Sequence, residues 1–305
     1  MTLTTSTPST PDGPSSAPGR TSQDQTSSRR RRGLGSGRRG CGLRTTLNLP
    51  ASAALGVSVL WFSLLVLIPL ALVFVAAGEH GLGYMWEVLT NQQTANALRL
   101  TLTAAAAATA VNIVMGTLIA WVLVRDRFPG KRLIELLIDI PFALPSLVAG
   151  LVLLSLYGPG SPVGIDVLGT PYSVFLAVLF VTLPFVVRTV QPVLMAMDEE
   201  VEQAAESLGA SQATTFRRVV LPALAPAIAA GATLSFARGV GEFGALVLLT
   251  GNRPNVSEGA PIRIQSYIEV DNTAAAASVA VFLLMVALTA IVALDLISRR
   301  VSRHG

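Results

Sequence analysis

One pair of charges lies inside a hydrophobic segment of the chain and has the chemistry to bind an anion. The run 235–244, SFARGVGEFG, places Arg238 and Glu242 four residues apart and hence on one face of a helix. A charge inside a bilayer is costly and usually faces a bundle interior or a cavity. In an anion carrier, Arg238 would attract the ion and Glu242 would moderate that attraction. The alternative is an internal ion pair that fixes helix packing, which is favoured because the two charges largely neutralise each other.

Two prolines interrupt another hydrophobic segment. The run 139–146, DIPFALPS, places Pro141 and Pro145 four residues apart, and each removes a backbone donor and bends a helix. Broken backbone at membrane depth survives only where protein or a water-filled cavity covers it. Pro141, Pro145 and Ser146 are therefore either part of a transport pathway or ordinary packing kinks.

A polar stretch, residues 197–222, separates two long hydrophobic segments. It reads MDEEVEQAAESLGASQATTFRRVVLP and predicts two short helices joined by a turn outside the bilayer. Asp198 is a good N-cap, Gly209 can adopt the left-handed conformation that ends a helix, and Ser211 can cap the second helix. Pro222 is expected to end that second helix.

This stretch is expected to offer a small knob to another protein. Ala204, Ala205 and Gly209 would let a partner's backbone come close. Phe216 falls on the apolar side of the second helix, opposite Arg217 and Arg218. The alternative is an amphipathic surface hairpin that has no partner.

Composition and segment length predict an all-α polytopic membrane protein with about six transmembrane helices. The chain has 305 residues, of which 51% are hydrophobic and 13% charged. Crossing the hydrocarbon core takes about 20 residues in a helix. Six segments are long enough, at about 53–77, 98–124, 133–157, 172–194, 223–249 and 274–297.

The distribution of arginine and lysine predicts the orientation. Eighteen of the 22 positive residues lie in the N-terminal tail, in the 125–132 and 188–218 loops and in the C-terminal tail. The opposite loops hold only Arg99, Arg253 and Arg263. The positive-inside rule therefore places both termini and the 197–222 loop in the cytoplasm. The external loop 251–272 could touch a soluble binding protein, although an exposed polar loop is the simpler interpretation.

The first 48 residues are predicted to be a disordered cytoplasmic tail. They are rich in Ser, Thr, Pro, Gly and Arg and contain almost no apolar side chains. The run Arg29–Arg32 could bind nucleic acid, but beside a membrane segment it is better explained by contact with anionic lipid. We expect no nucleic-acid partner. Cys41 is the only cysteine, so an intramolecular disulfide is excluded.

The spacing within the polar stretch resembles the EAA loop of ABC importer permeases. Gln203, Ala204 and Ala205 are followed after three residues by Gly209 and after nine more by VVLP, residues 219–222. The resemblance implies a coupling helix that docks on a separate cytoplasmic ATPase. Gln203 occupies the motif's glutamate position, so a neutral hydrogen bond replaces a charge-assisted one there. The residues implied in coupling are Glu202, Gln203, Ala204, Ala205, Gly209, Phe216, Leu221 and Pro222.

Other runs resemble one branch of this family, the T-type permeases of sulfate/thiosulfate ABC importers. They are AWVLVR (120–125), RFPG (127–130), DIPFALP (139–145), PFVVRTVQPVL (184–194) and GEFGA (241–245). The resemblance covers roughly residues 54–300. It implies a type I importer in a bacterial plasma membrane, without a bound cofactor or metal. Its implied partners are two ATPase subunits, a second, W-type permease, and a periplasmic or lipoprotein sulfate-binding protein.

The domain prediction follows from these features. Residues 1–48 form the tail, 49–95 the first transmembrane helix and an external loop, and 96–298 the ABC type 1 transmembrane domain with its coupling loop 197–222. The candidate pathway residues in that domain are Pro141, Pro145, Ser146, Arg238 and Glu242.

Several other functions were weighed. The chain lacks a GxxxxGK[ST] phosphate loop, since its only lysine is Lys131, so a partner must hydrolyse ATP. We therefore expect a transport subunit that is not itself an enzyme. A permease for molybdate or another small solute remains open. An ion-driven secondary transporter would require internal repeats and intramembrane acids, and Glu242 is the only acid well inside a predicted span. A membrane anchor or sensor would not need broken spans.

Overall fold

The described part of the chain is helical throughout. The computed structural model describes residues 49–302, and side chains are described for 54–296 except those of Glu199, Val201 and Glu206. The first half contains α1 (Leu49–Phe62), a π-helical turn π1 (Ser63–Leu67), α2 (Ile68–Gly78), α3 (Gly81–Thr90), α4 (Gln92–Arg125), α5 (Lys131–Ala143) and α6 (Ser146–Tyr157). The second half contains α7 (Pro171–Ala196), α8 (Glu199–Ser207), α9 (Gln212–Thr215), a second π turn π2 (Phe216–Val220), α10 (Leu221–Val240), α11 (Gly244–Leu249), α12 (Ala260–Glu269) and α13 (Thr273–Ser302).

The number of membrane-crossing elements agrees with the predicted fold class. The helices long and apolar enough to cross a membrane are Ala54–Gly78, Gln92–Arg125, Pro171–Ala196, Gln212–Val240 and Thr273–Leu296. The predicted third span, 133–157, is instead the pair α5 and α6, which are bent by 118° relative to each other. The polytopic all-α fold is thus confirmed, with the third span broken.

The bend lies at one of the two prolines. Leu144 has an extended backbone conformation, as residues before proline prefer, and α6 begins directly after Pro145. Pro141 remains inside α5. Only Pro145 therefore breaks the chain direction.

The predicted fifth span, 223–249, is wrong at its end. The helix ends at Val240, and a separate short helix, α11, follows from Gly244. The cause is the side chain of Glu242, whose Oε1 accepts a hydrogen bond from the backbone N–H of Ala245 at 2.9 Å. This bond satisfies one of the donors at the start of a helix, so α11 begins anew.

Pro222 does not end the second helix of the polar stretch, contrary to the prediction. Gln212–Val240 is one continuous helical segment of 29 residues. The π turn Phe216–Val220 ends two residues before Pro222, and the N–H of Leu221 bonds to the carbonyl of Phe216, five residues back. Pro222 therefore lies in the first turn of the α-helical pattern that resumes after the π turn. Proline is tolerated in a first turn because its missing N–H would have no partner there.

Helices α4, α7 and α10 form the centre of the bundle, and α13 packs against α10. Glycines permit the closest approaches: a methyl group on Gly116 would lie 2.9 Å from Val186 Cβ, and one on Gly239 would lie 2.7 Å from a methyl of Val178. Without a hydrophobic driving force between helices in lipid, such small-residue packing holds membrane bundles together.

The predicted tail, residues 1–48 with its Arg29–Arg32 run, lies outside the described residues. The disorder and lipid contact expected of it therefore stay predictions.

Candidate functional site

The polar hairpin forms the turn that its sequence predicts. Gly209 has a φ of +83° and follows the end of α8. The N–H of Ala210 bonds to the carbonyl of Ala205 at 3.1 Å, the long bond of a glycine-terminated helix. Ser211 then caps α9 by accepting a hydrogen bond from the N–H of Thr214 at 3.4 Å. The two helices are thereby held in a fixed hairpin.

The tip of this hairpin is open to solvent. Gln203 and Ala204 are exposed, and a methyl group on Gly209 would meet no atom within 4 Å. Leu208, directly before Gly209, is 90% exposed. Leu208 is not among the site residues predicted from the sequence. Its signal was an apolar side chain beside the glycine that ends the helix.

Glu202 points in the opposite direction, toward the membrane bundle. Its carboxylate forms an ion pair with Arg125 in the last turn of α4, and the two side chains are only 15% and 12% exposed. The Arg125 guanidinium also lies over the ring of Trp121, 5.9 Å from its centroid. Glu202 therefore ties the hairpin to the end of α4, and its role in coupling stays a prediction.

The second half of the hairpin is anchored as well. The ring of Phe216 meets Trp121 edge to face, with centroids 4.9 Å apart. Val220 is fully buried in a core with Leu194 and Leu224. Leu221 and Pro222 follow on the partly exposed side of α10. The predicted coupling residues thus divide into an exposed tip and a base in which Glu202 and Phe216 are half-buried against α4.

Arg238 and Glu242 form the predicted ion pair, but their environments differ. Glu242 is fully buried, and its Oε2 lies 2.5 Å from Nη1 of Arg238. Its other oxygen caps α11 at Ala245. The side chain of Arg238 is 37% exposed. The carboxylate is therefore fixed in the protein, whereas the guanidinium reaches an accessible surface.

That surface is a cavity of about 270 Å³ between α5, α6, α7 and α10. Its polar lining side chains are Arg238 and Ser146. The remaining lining residues are apolar: Pro141, Phe142, Leu144, Val181 and Phe185.

The cavity unites three predicted pathway residues, Pro141, Ser146 and Arg238. Pro145 supplies the bend beside it, and Glu242 lies behind Arg238. The rings of Phe142 and Phe185 meet edge to face, with centroids 4.9 Å apart, and form an aromatic wall.

An ion pair that sequence reasoning missed ties the broken span to the bundle. Arg188 on α7 donates from Nε to Asp139 Oδ1 at 2.7 Å and from Nη2 to Asp139 Oδ2. The same guanidinium donates to Gln191 Oε1 at 2.7 Å and to the carbonyl of Glu135 at 3.2 Å. This forked geometry fixes α5 against α7.

The predicted external loop, 251–272, is more ordered than expected because it contains α12. Glu258 is buried and accepts a hydrogen bond from Gln93 at 2.7 Å. Arg263 lies over the ring of Tyr267, 4.2 Å from its centroid. The loop is thus held against the first turn of α4.

Comparison with known proteins places this geometry in a family. Residues 112–303 match the family described as binding-protein-dependent transport system inner membrane component. The sulfate transport system permease protein CysT of Synechocystis sp. is 40% identical over 256 residues, covering 82% of this chain and 90% of that protein. The protein of the same name from Escherichia coli is 39% identical over 258 residues, covering 82% of this chain and 93% of that protein.

Solved structures agree in fold. A bacterial alginate ABC transporter, crystallised with a periplasmic protein bound to an alginate pentasaccharide, contains a chain that superimposes with a TM-score of 0.67 at 17% identity, covering 82% of this chain and 94% of that one. The inward-facing MetNI methionine ABC transporter contains a chain that superimposes with a TM-score of 0.57 at 19% identity, covering 72% of this chain and 99% of that one. The chain therefore belongs to the binding-protein-dependent transport system inner membrane components, the multi-pass permease subunits of ABC importers that work with a binding protein and an ATPase.

Proposed function

We propose that this chain is the permease subunit through which an ATP-driven importer moves sulfate or thiosulfate across a bacterial plasma membrane. The observation that carries the proposal is the identity of about 40%, over 82% of the chain, to permeases named for sulfate transport. The cavity at Arg238 supports it, because a positively charged side chain that lines an accessible cavity attracts a small anion.

The hairpin 197–222 is the proposed docking element for the ATPase. Gln203, Ala204 and Gly209 are exposed at the tip and Ala205 is half-buried beside them, so a partner's backbone can approach there. The base, at Glu202 and residues 216–222, is fixed to α4 and α10. A rigid base with an exposed small-residue tip is suited to transmitting force from a soluble subunit.

The proposed orientation places both termini and this hairpin in the cytoplasm. The excess of positive residues on that side supports it. The ordered 251–272 region would then face outward and be available to a periplasmic or lipoprotein sulfate-binding protein. The apolar faces that α5 and α6 expose support pairing with a second permease, for which a W-type chain is proposed.

Transport is proposed to pass the broken span. Pro141 and Ser146 line the cavity with Arg238, Pro145 makes the bend, and Glu242 fixes the arginine. The proposed domains are the tail 1–48, the first helix and loop 49–95, and the transport domain 96–298.

Uptake by the reconstituted complex tests this function. The chain is co-expressed with its second permease and ATPase, placed in proteoliposomes, and supplied with labelled sulfate and the sulfate-binding protein. We expect uptake that requires both the binding protein and hydrolysable ATP, and competition by thiosulfate. Uptake driven by an ion gradient without ATP would contradict the proposal, and stronger competition by molybdate would reassign the substrate.

A further inference from the structure

We propose that Arg238 and the first turn of α6 form an oxyanion-binding site inside the bundle, so that the permease itself contacts the transported ion. This inference rests on the proposed function and deepens it, because it assigns a substrate contact to the permease in addition to the binding protein. The ligand class is a small tetrahedral oxyanion with two negative charges, such as sulfate.

Glu242 holds Arg238 in place without consuming its binding capacity. The carboxylate is fully buried: its Oε1 accepts a hydrogen bond from Ala245 N–H, and its Oε2 lies 2.5 Å from Nη1 of Arg238 as an ion pair. A guanidinium carries five N–H donors. Among the contacts described, the ion pair engages one terminal nitrogen of Arg238, and the side chain, 37% exposed, lines the cavity. A pair that served packing alone would bury both partners, whereas here only the acid is buried.

The cavity has the size and polarity for a small anion. Its volume of about 270 Å³ exceeds that of several water molecules, each of which occupies about 30 Å³ in the liquid. Phe142, Val181 and Phe185 contribute apolar walls, but most of the exposed lining is polar, so the cavity can accommodate an anion beside the Arg238 guanidinium.

The start of α6 adds to the attraction. Ser146 begins this helix of 12 residues and lines the same cavity as Arg238. Its hydroxyl can donate to an oxyanion, and the positive end of the helix dipole favours negative charge. The helix end alone would not define a site. Together with Arg238, which lines the same cavity, it provides two groups that attract an anion.

The arrangement also favours release. Arg238 is the one cation among the described residues that line the cavity, and Glu242 offsets part of its charge. Conduction requires binding that is favourable enough for the ion to enter and weak enough for it to leave.

Arginine also suits the shape of the ion. Its planar guanidinium can donate to two oxygens of one oxyanion, which the ammonium of lysine, a point charge, cannot do.

Uptake by matched variants tests the site in the full complex. Arg238→Gln should reduce sulfate uptake roughly tenfold to a hundredfold, the loss expected for a charged hydrogen bond. Arg238→Lys should recover only part of the activity. Arg99→Gln, which removes an exposed arginine elsewhere, should leave uptake unchanged.

The double variant Arg238→Gln/Glu242→Gln separates substrate contact from packing. It removes both charges, so no unpaired charge remains buried. We expect an assembled complex that hydrolyses ATP in response to the binding protein but does not take up sulfate. Restored uptake in the double variant would overturn the proposal in favour of a structural ion pair.

Thiol labelling measures occupancy independently of transport. In a Cys41→Ser background, Ser146→Cys in the purified complex should react with neutral N-ethylmaleimide, and sulfate should slow that reaction several-fold relative to chloride at equal ionic strength. Adding Arg238→Gln should abolish the protection. Protection that persists without Arg238, or none with it, would refute the site. If sulfate slows the labelling but the complex does not take up sulfate, the binding site stands and the proposed transport function is contradicted.

Discussion

Glu202 and Arg125 join the polar hairpin to the end of α4 through an ion pair that is almost excluded from solvent. The residues are 77 positions apart in the chain. The acid beside the motif's first position therefore determines how the hairpin is oriented on the bundle. Its neighbour Gln203 remains exposed and available to a partner.

Glu202→Gln should weaken the coupling between ATP hydrolysis and transport. The change replaces a charged partner of Arg125 by a neutral amide in a nearly buried position, and a hydrogen bond to a charged group is worth about 1.5–3 kcal/mol. We expect the number of ATP molecules hydrolysed per sulfate taken up to rise several-fold, measured in proteoliposomes. Glu200→Gln, on the same helix but exposed, is the matched control. Equal coupling in both variants would refute the anchoring role.

Leu208→Ala should impair docking of the ATPase and leave the permease's own stability unchanged. At 90% exposure, Leu208 contributes little burial to its own chain. Phe216→Ala is the contrasting variant, because its ring packs on Trp121 and its removal should lower the thermal midpoint of the purified permease. Co-purification of the ATPase and thermal unfolding in detergent measure the two effects. A lower thermal midpoint for Leu208→Ala would place that side chain inside the fold.

Gly209→Val and Gly209→Asn should differ in their effect on the hairpin. The space around Gly209 is open, so backbone conformation alone limits what it tolerates. A left-handed φ costs an ordinary residue roughly 1–2 kcal/mol, whereas Asn adopts it more readily. We expect Gly209→Val to lose most binding-protein-stimulated ATP hydrolysis and Gly209→Asn to keep most of it. Equal loss in both variants would indicate that the partner tolerates no side chain there.

Asp139→Asn should release α5 from α7. The substitution removes the carboxylate that receives two hydrogen bonds from Arg188, and an amide can accept only one of them. Hydrogen exchange should quicken in the segment Lys131–Ala143 and remain unchanged in the middle of α7. Ser155→Ala, an exposed change on α6, serves as the control. Unchanged exchange in α5 would mean that apolar packing suffices to hold it.

Local features of the site could be predicted from the sequence. The left-handed glycine and the serine cap depend on a few neighbouring residues, so Gly209 and Ser211 were assigned correctly. The bend at Pro145 follows from the chemistry of one residue and its predecessor. Periodicity and length also identified the membrane-crossing segments.

Other features depend on contacts between distant parts of the chain. Arg188 and Asp139 are 49 residues apart, and nothing in either segment alone selects the partner. The end of α10 at Val240 was missed because apolar length continued to 249. The helix ends there because the buried carboxylate of Glu242 caps the next helix, α11. Glutamate is not one of the residues usually found as a helix cap, so the sequence did not indicate this end. Exposure at Leu208 and Arg238 likewise follows only from the assembled bundle.

The continuous segment Gln212–Val240 has a mechanical consequence. At 1.5 Å per residue, its 29 residues form a rod about 44 Å long. Its first turn lies beside the hairpin tip, and its last turn carries Arg238. If an ATPase docks at the hairpin as proposed, a tilt applied at one end would reach Arg238 at the other through one helical segment, and that segment can bend only where its regular hydrogen bonding is disturbed, at the π turn Phe216–Val220 and at the prolines that follow it.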